Sequence, residues 1–198
     1  MNISKTLSTW EGKKEAYYKW LYELIWVKKL LLCLGMASIT GVSAQIRIPL
    51  PFTPVPITGQ VLIVLLAGVL LGNLYGGLSM ILYLLLGAAG VPWFTGAAGG
   101  LPIGPTAGYI IGFIPAALFI GWTTQRFQRT RQFLPLVGLM MIAVFVIYLF
   151  GAVYFAYFMK TNFIQTMSMA VLPFVPGDLF KAFVGAGIAR AALPRKLQ

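Results

Sequence analysis

The chain of 198 residues is 59% hydrophobic and only 10% charged, against roughly 25% charge in a soluble domain, which predicts an integral membrane protein. It has no histidine and one cysteine, which excludes catalytic triads, Cys-His pairs, His/Cys zinc sites and an internal disulfide. The net charge of +11 does not require nucleic acid, because the basic residues flank apolar spans, where topology and anionic lipid explain them better.

Residues 1–27 are rich in charged and aromatic side chains. Tyr17, Leu21 and Ile25 recur at helical spacing. This pattern predicts an amphipathic segment that lies in the cytoplasm or in the membrane interface, ahead of a membrane domain over residues 28–198. An ordinary soluble helix or a frayed tail is the open alternative.

The first span is predicted over about residues 30–44. Within it Cys33, Ala37 and Gly41 repeat at four-residue spacing. Small residues in such a row let two helices approach closely. The row therefore predicts a helix contact, with a partner protein or inside this chain.

A Pro-rich segment over residues 45–58 follows, and its four prolines forbid a helix. The alternation of apolar residues around Arg47 indicates extended backbone folded over the bundle. A second span is predicted over about 58–71, a tight turn over 72–77, and a third span over about 78–90.

The next segment, residues 91–109, is dense in glycine and proline and carries Trp93, Phe94 and Tyr109. Irregular backbone at membrane depth is tolerated only where it is buried in protein or lines a cavity. The aromatic residues favour an anchored loop over a mobile external one.

Three further spans are predicted over about residues 108–124, 133–159 and 171–193. The predicted fold is thus an all-α membrane protein with six transmembrane helices in one bundle and irregular Pro-rich and Gly-rich outer loops. Basic residues cluster on one side in this count, which assigns that side and both termini to the cytoplasm. These residues are Lys28, Lys29, Arg126, Arg129, Arg131, Arg190, Arg195 and Lys196.

Asp178 is the only acidic residue after Glu23, and it opens the last span. Lys181 lies three positions later, so the two side chains share a helix face. Pro176 suits the first helical turn, and a carboxylate there faces the positive end of the helix dipole. A charge at membrane depth costs about 2.5–3.5 kcal/mol, so the pair indicates a polar ligand site, with a structural ion pair as the alternative.

No P-loop and no series of intramembrane acids is present, which favours a binding subunit that depends on an energised partner. The alternatives are a membrane enzyme, which would lack a credible catalytic group beyond Asp178 and Lys181, and a solo or proton-coupled transporter that uses Asp178 as its carrier.

Four motifs together resemble the BioY family: residues 48–60 (IPLPFTPVPITGQ), Gly99-Gly100, residues 104–109 (GPTAGY) and residues 176–181 (PGDLFK). The resemblance covers about residues 30–195 in order and spacing. BioY proteins are the biotin-specific substrate-binding components of energy-coupling factor transporters.

The resemblance implies a six-helix fold in the bacterial inner membrane with biotin as its ligand near the outer face, and no cofactor. It also implies two kinds of partner, a transmembrane coupling protein and ABC-type ATPases. The coupling protein would contact small residues of the first helix, here the row of Cys33, Ala37 and Gly41.

Within the family, the Asp and Lys of the last motif belong to the biotin site, which implies that role for Asp178 and Lys181. The loop with Gly99 and Gly100 contributes as well. Ala98 stands where some members carry an asparagine, and Gln60 or Tyr109 is the candidate to replace that amide.

The chemistry of biotin suits these residues. Asp178 can accept a hydrogen bond from a ureido N–H, and Lys181 can donate to a carbonyl or carboxylate. Trp93, Phe94 and Tyr109 can cover the apolar rings.

Overall fold

The computed structural model describes Gly12, Ala16 and residues 23–193, and within these residues the chain is mostly helical. The elements in chain order are α1 (Trp26–Gln45), β1 (Arg47–Leu50), β2 (Thr53–Thr58), α2 (Gln60–Ala88), α3 (Ala107–Arg126), a 3-10 helix (Gln128–Arg131), α4 (Phe133–Met159), α5 (Phe163–Ala170) and α6 (Val175–Ala192). Most of the predicted N-terminal amphipathic segment lies outside the described residues.

Four of the described helices, α1 to α4, are long and apolar enough to cross a membrane. The pair α5 and α6 is bent by 47° at its break and would add a fifth span if it crosses as one unit. Helices satisfy every backbone polar group internally, which is why apolar segments of this length fold as they do in lipid. The helical membrane class predicted from the sequence is confirmed.

The helix α2 is broken at Gly72, which has φ 81° and ψ −177°. A Cβ atom added to Gly76 would lie 2.7 Å from the Cα of Gly68, so the chain doubles back and the two halves pack against each other. Only glycine adopts this backbone conformation readily. The predicted turn over 72–77 is therefore correct in place but too long, because residues 73–77 are already helical.

The Pro-rich segment is extended, as predicted, but it is also hydrogen-bonded. β1 and β2 form an antiparallel hairpin in which Arg47 is opposite Thr58 and Leu50 is opposite Thr53, with an irregularity between Ile48 and Leu50. The prediction of an all-α fold is therefore wrong in one respect, because the fold also contains this two-stranded sheet. Proline is tolerated here because a two-stranded hairpin has only edge strands.

The small residues of α1 pack inside this chain. Cys33 and Ala37 are fully buried, and the thiol of Cys33 lies 3.3 Å from the carbonyl oxygen of Tyr75. A Cβ on Gly41 would lie 2.6 Å from the Cβ of Trp93. Of the two alternatives for this row, the structure shows the contact within the chain, and the three buried residues are not exposed to a partner protein.

The remaining helices differ from the prediction mainly at α5, which the sequence analysis missed. Asn162 begins it with a capping box, in which its side chain accepts from the backbone N–H of Gln165 and the Gln165 side chain accepts from the backbone N–H of Asn162. The bounds of α4 agree with the predicted span. Pro176 and Asp178 lie in the first turn of α6, as predicted.

Candidate ligand-binding site

A cavity lies at the end of the bundle where the hairpin, the Gly-rich loop and the start of α6 meet. Its wall combines residues from β2, α2, α3, α4 and α6 with two threonines of the loop. The lining residues with a polar side chain are Thr58, Gln60, Thr95, Thr106, Tyr109, Tyr148, Asp178 and Lys181. The Pro-rich segment, the Gly-rich loop and the start of the last helix, which carry the motifs of the resemblance, therefore meet at one cavity.

Asp178 is the buried charge of this cavity, with 2% of its surface exposed. Its Oδ1 atom accepts a hydrogen bond from Nζ of Lys181 at 2.7 Å, one helical turn away. Its Oδ2 atom accepts a hydrogen bond from the hydroxyl of Tyr148 at 2.6 Å. Two partners thus hold the carboxylate in a fixed orientation, and a carboxylate retains further lone pairs for a ligand.

Tyr148, which binds the carboxylate of Asp178, is a site residue that the sequence analysis missed. It lies in the middle of α4, a 27-residue apolar helix, and is 7% exposed. A tyrosine hydroxyl that is buried usually has a hydrogen-bond partner, which is the one signal that could have singled it out. The same helix also carries Tyr154 and Tyr157, so the sequence does not show which tyrosine faces Asp178.

Gln60 belongs to a polar network on the wall formed by the first turn of α2. Its Nε2 donates to the hydroxyl of Tyr83 at 2.7 Å, and that hydroxyl donates to the carbonyl of Trp93 at 3.3 Å. Its Oε1 accepts from the hydroxyls of Thr58 at 3.0 Å and Thr95 at 3.4 Å. Because both threonines donate to Gln60, their oxygen lone pairs remain available to donors of a ligand.

Tyr109 lies on the wall formed by α3, and its hydroxyl donates to the carbonyl of Ala170 at the end of α5. Its ring fits against Gly151 of α4, where an added Cβ would lie 2.4 Å from the ring. Phe113 and Phe174 also line the cavity. These rings provide the apolar surface that ligand pockets usually contain.

Four other predicted site residues, Trp93, Phe94, Gly99 and Gly100, do not line this cavity. Phe94 is 5% exposed and its ring meets that of Tyr83 edge to face, with centroids 5.3 Å apart. Trp93 donates from Nε1 to the carbonyl of Tyr83 at 2.9 Å. Gly99, which is exposed, and Gly100, which is half-buried, do not line the cavity either.

The arrangement can bind a small molecule that carries both hydrogen-bond donors and acceptors. Asp178 and the threonines offer acceptors, Lys181 offers donors, and the aromatic residues cover an apolar body. Among the residues that the structure describes, no three His, Cys, Asp or Glu side chains approach closely enough to hold a metal ion.

Comparison with known proteins gives the same family from a family model and from individual similar proteins. The sequence model of the BioY family matches residues 12–197, which begins ahead of the motifs described above. Among similar proteins, the probable biotin transporter BioY of Pyrococcus horikoshii is 40% identical over 82% of this chain and 94% of its own length. The biotin transporter BioY of Rhizobium etli is 36% identical over 83% of this chain and 91% of its own length.

A solved structure has the same fold. It is the crystal structure of the S-component for biotin from an ECF-type ABC transporter, with a TM-score of 0.75 and 29% identity. The match covers 83% of this chain and 89% of the solved one.

Proposed function

Because the chain belongs to the BioY family, we propose that it is the membrane-embedded biotin-binding subunit of an energy-coupling factor transporter and serves in biotin uptake. The observation that carries the proposal is the buried Asp178, held by Lys181 and Tyr148 on the wall of a cavity within a membrane bundle. A buried charge inside a membrane protein is costly, and its usual justification is a ligand or transport pathway.

In this proposal, Asp178 accepts a hydrogen bond from a ureido N–H of biotin. Lys181 has three donors, of which one is engaged by Asp178, so the others can meet a carbonyl or carboxylate oxygen of the ligand. Tyr109, Phe113 and Phe174 cover the apolar rings, in place of the predicted Trp93 and Phe94. Gln60 acts through Thr58 and Thr95, whose lone pairs face the cavity.

The proposal includes a six-span topology. The two halves of α2 count as separate spans because of the break at Gly72, and α5 with α6 counts as one. Residues 1–27 form an interfacial or cytoplasmic segment ahead of this domain.

The proposal also includes a transmembrane coupling protein and ABC-type ATPases as partners. The chain contains four acidic residues, and three of them precede residue 24. One carboxylate in the bundle provides no relay for protons, which supports energy input from a partner over a solo or proton-coupled transporter. The role is binding and transport, without catalysis.

The test of the function is calorimetric titration of the purified chain with biotin. We expect saturable binding at one site. Lipoate is the matched control, because it shares the carboxylate tail and a sulfur-containing ring but lacks the ureido group. Equal binding of both ligands, or no binding of biotin, would overturn the assignment.

The six-span topology predicts that both termini and the basic loops face the cytoplasm. A cysteine introduced at Ala97, in a variant with Cys33 replaced by alanine, should react with a membrane-impermeant maleimide added to intact cells. A cysteine at Gln128 should react only after the membrane is opened. The reverse pattern would contradict the topology.

A further inference from the structure

We infer that Gln45 is a positioning residue that clasps the Gly-rich loop to the end of α1 and thereby sets the rate at which ligand enters and leaves the cavity. The inference rests on the proposed function, because the ligand in question is biotin. It goes beyond that function by assigning a role to a residue outside the cavity wall.

The clasp is a two-sided hydrogen-bonding contact. Gln45 is the last residue of α1, and its Nε2 donates to the carbonyl of Phe94 at 3.1 Å and to that of Gly41 in its own helix at 3.1 Å. Its Oε1 accepts from the backbone N–H of Ala97 at 2.8 Å. The side-chain amide thus engages a carbonyl and an N–H of the same loop, as a neighbouring strand would.

The backbone of the loop is unusual at Ala97, where it binds the Gln45 amide. Ala97 has a left-handed backbone conformation, with φ 56°, which is uncommon for a residue with a Cβ. The N–H of Phe94 donates to the carbonyl of Ala98 at 2.9 Å, which closes the turn between them. The hydrogen bond from Ala97 to Gln45 therefore helps to hold a backbone conformation that would otherwise be disfavoured.

The clasped turn carries a cavity residue. Thr95 lies between Phe94 and Ala97 and lines the cavity, where its hydroxyl donates to Gln60. The base of the loop is anchored independently, by the buried ring of Phe94 and by the indole N–H of Trp93. Release of Gln45 should therefore free the turn over residues 95–97 without unfolding the loop.

A movement of this turn would widen the cavity for ligand exchange. The cavity has a volume of about 50 Å³. Its wall includes backbone outside the helices, in β2 and in the turn with Thr95. The turn is held from inside the cavity by the hydrogen bond from Thr95 to Gln60 and from outside it by the exposed side chain of Gln45.

The test compares Gln45→Met with the unsubstituted chain. Methionine keeps the length and approximate volume of the side chain but makes none of these hydrogen bonds. The first measurement is amide hydrogen exchange without biotin, where we expect exchange over residues 94–98 to accelerate by about tenfold, the effect of losing one or two neutral hydrogen bonds. The second is stopped-flow binding of biotin, where we expect both rate constants to rise, and the dissociation rate constant to rise more.

Ser38→Ala is the matched control, because Ser38 lies in the same helix, is exposed, and donates its hydroxyl to the carbonyl of Leu34 in that helix. It should leave loop exchange and both rate constants unchanged. Unaltered exchange in Gln45→Met would overturn the clasp. So would faster exchange with unchanged binding rates, since the turn would then not control entry. Failure of the unsubstituted chain to bind biotin would overturn the proposed function and the control of biotin entry, whereas the exchange measurement, which does not depend on ligand, would still decide whether Gln45 clasps the loop.

Discussion

Asp178→Asn is expected to weaken biotin binding by about ten- to a hundredfold, since a hydrogen bond to a charged group contributes roughly 1.5–3 kcal/mol. Asparagine keeps the shape of the side chain but removes the negative charge that Lys181 and Tyr148 now contact. The protein should still insert into the membrane and remain monodisperse. The measurement is the calorimetric affinity for biotin, beside the thermal unfolding midpoint.

Lys181→Met and the double variant separate a ligand role from a structural one. Lys181→Met leaves a buried carboxylate with Tyr148 as its remaining partner, and loss of one member of a buried pair costs about 3–5 kcal/mol. Asp178→Asn combined with Lys181→Met should recover part of this stability and still bind biotin weakly. Normal affinity in the double variant would show that the pair serves only the fold.

Gly151→Ala is expected to weaken biotin binding by about tenfold or more, because its Cβ would overlap the ring of Tyr109. The ring cannot turn away easily, since its hydroxyl is bound to the carbonyl of Ala170. Overpacking of this kind also destabilises a protein by about 1–3 kcal/mol. Biotin affinity and the unfolding midpoint are measured together.

Gly138→Ala is the matched control for this change. Gly138 lies in the same helix, and a Cβ there would meet no atom within 4 Å. Alanine also favours helix by up to about 1 kcal/mol over glycine. We expect unchanged affinity and equal or higher stability for Gly138→Ala, and equal effects of the two substitutions would contradict the close contact at Tyr109.

The sequence predicts most of the helical fold because long apolar segments in a membrane have one stable local structure. The bounds of α4 follow directly from its apolar length. The hairpin pairing of β1 with β2 could not be predicted, because its four prolines indicate only the absence of helix. The short helix α5 was not predicted, because the polar residues at 160–165 indicate a turn. Two of them, Asn162 and Gln165, in fact form the capping box that begins the helix.

The sequence also predicts the charged centre of the site, since Asp178 and Lys181 are separated by one helical turn and no other acid competes. It does not show which aromatic residues face the cavity. Trp93 and Phe94 stand beside glycines in an irregular loop, where their direction depends on packing against Tyr83. Tyr148 depends on the rotation of α4 relative to α6, which apolar composition does not encode.

The cavity wall is built from early and late parts of the chain, which affects when the site can form during synthesis. Thr58 and Gln60 stand in the first third of the chain, whereas Asp178 and Lys181 belong to the last helix, so one side of the site exists well before the other. Translation of the intervening residues takes roughly ten seconds at bacterial rates of about 5–20 residues per second. During that interval Gln60 can already form its hydrogen bonds with Thr58 and Tyr83. The hydroxyl of Tyr148 has no carboxylate to bind until Asp178 has been made. A nascent chain that is stalled before α6 lacks Asp178 and Lys181, so ligand that needs this pair cannot assist folding until α6 has been made.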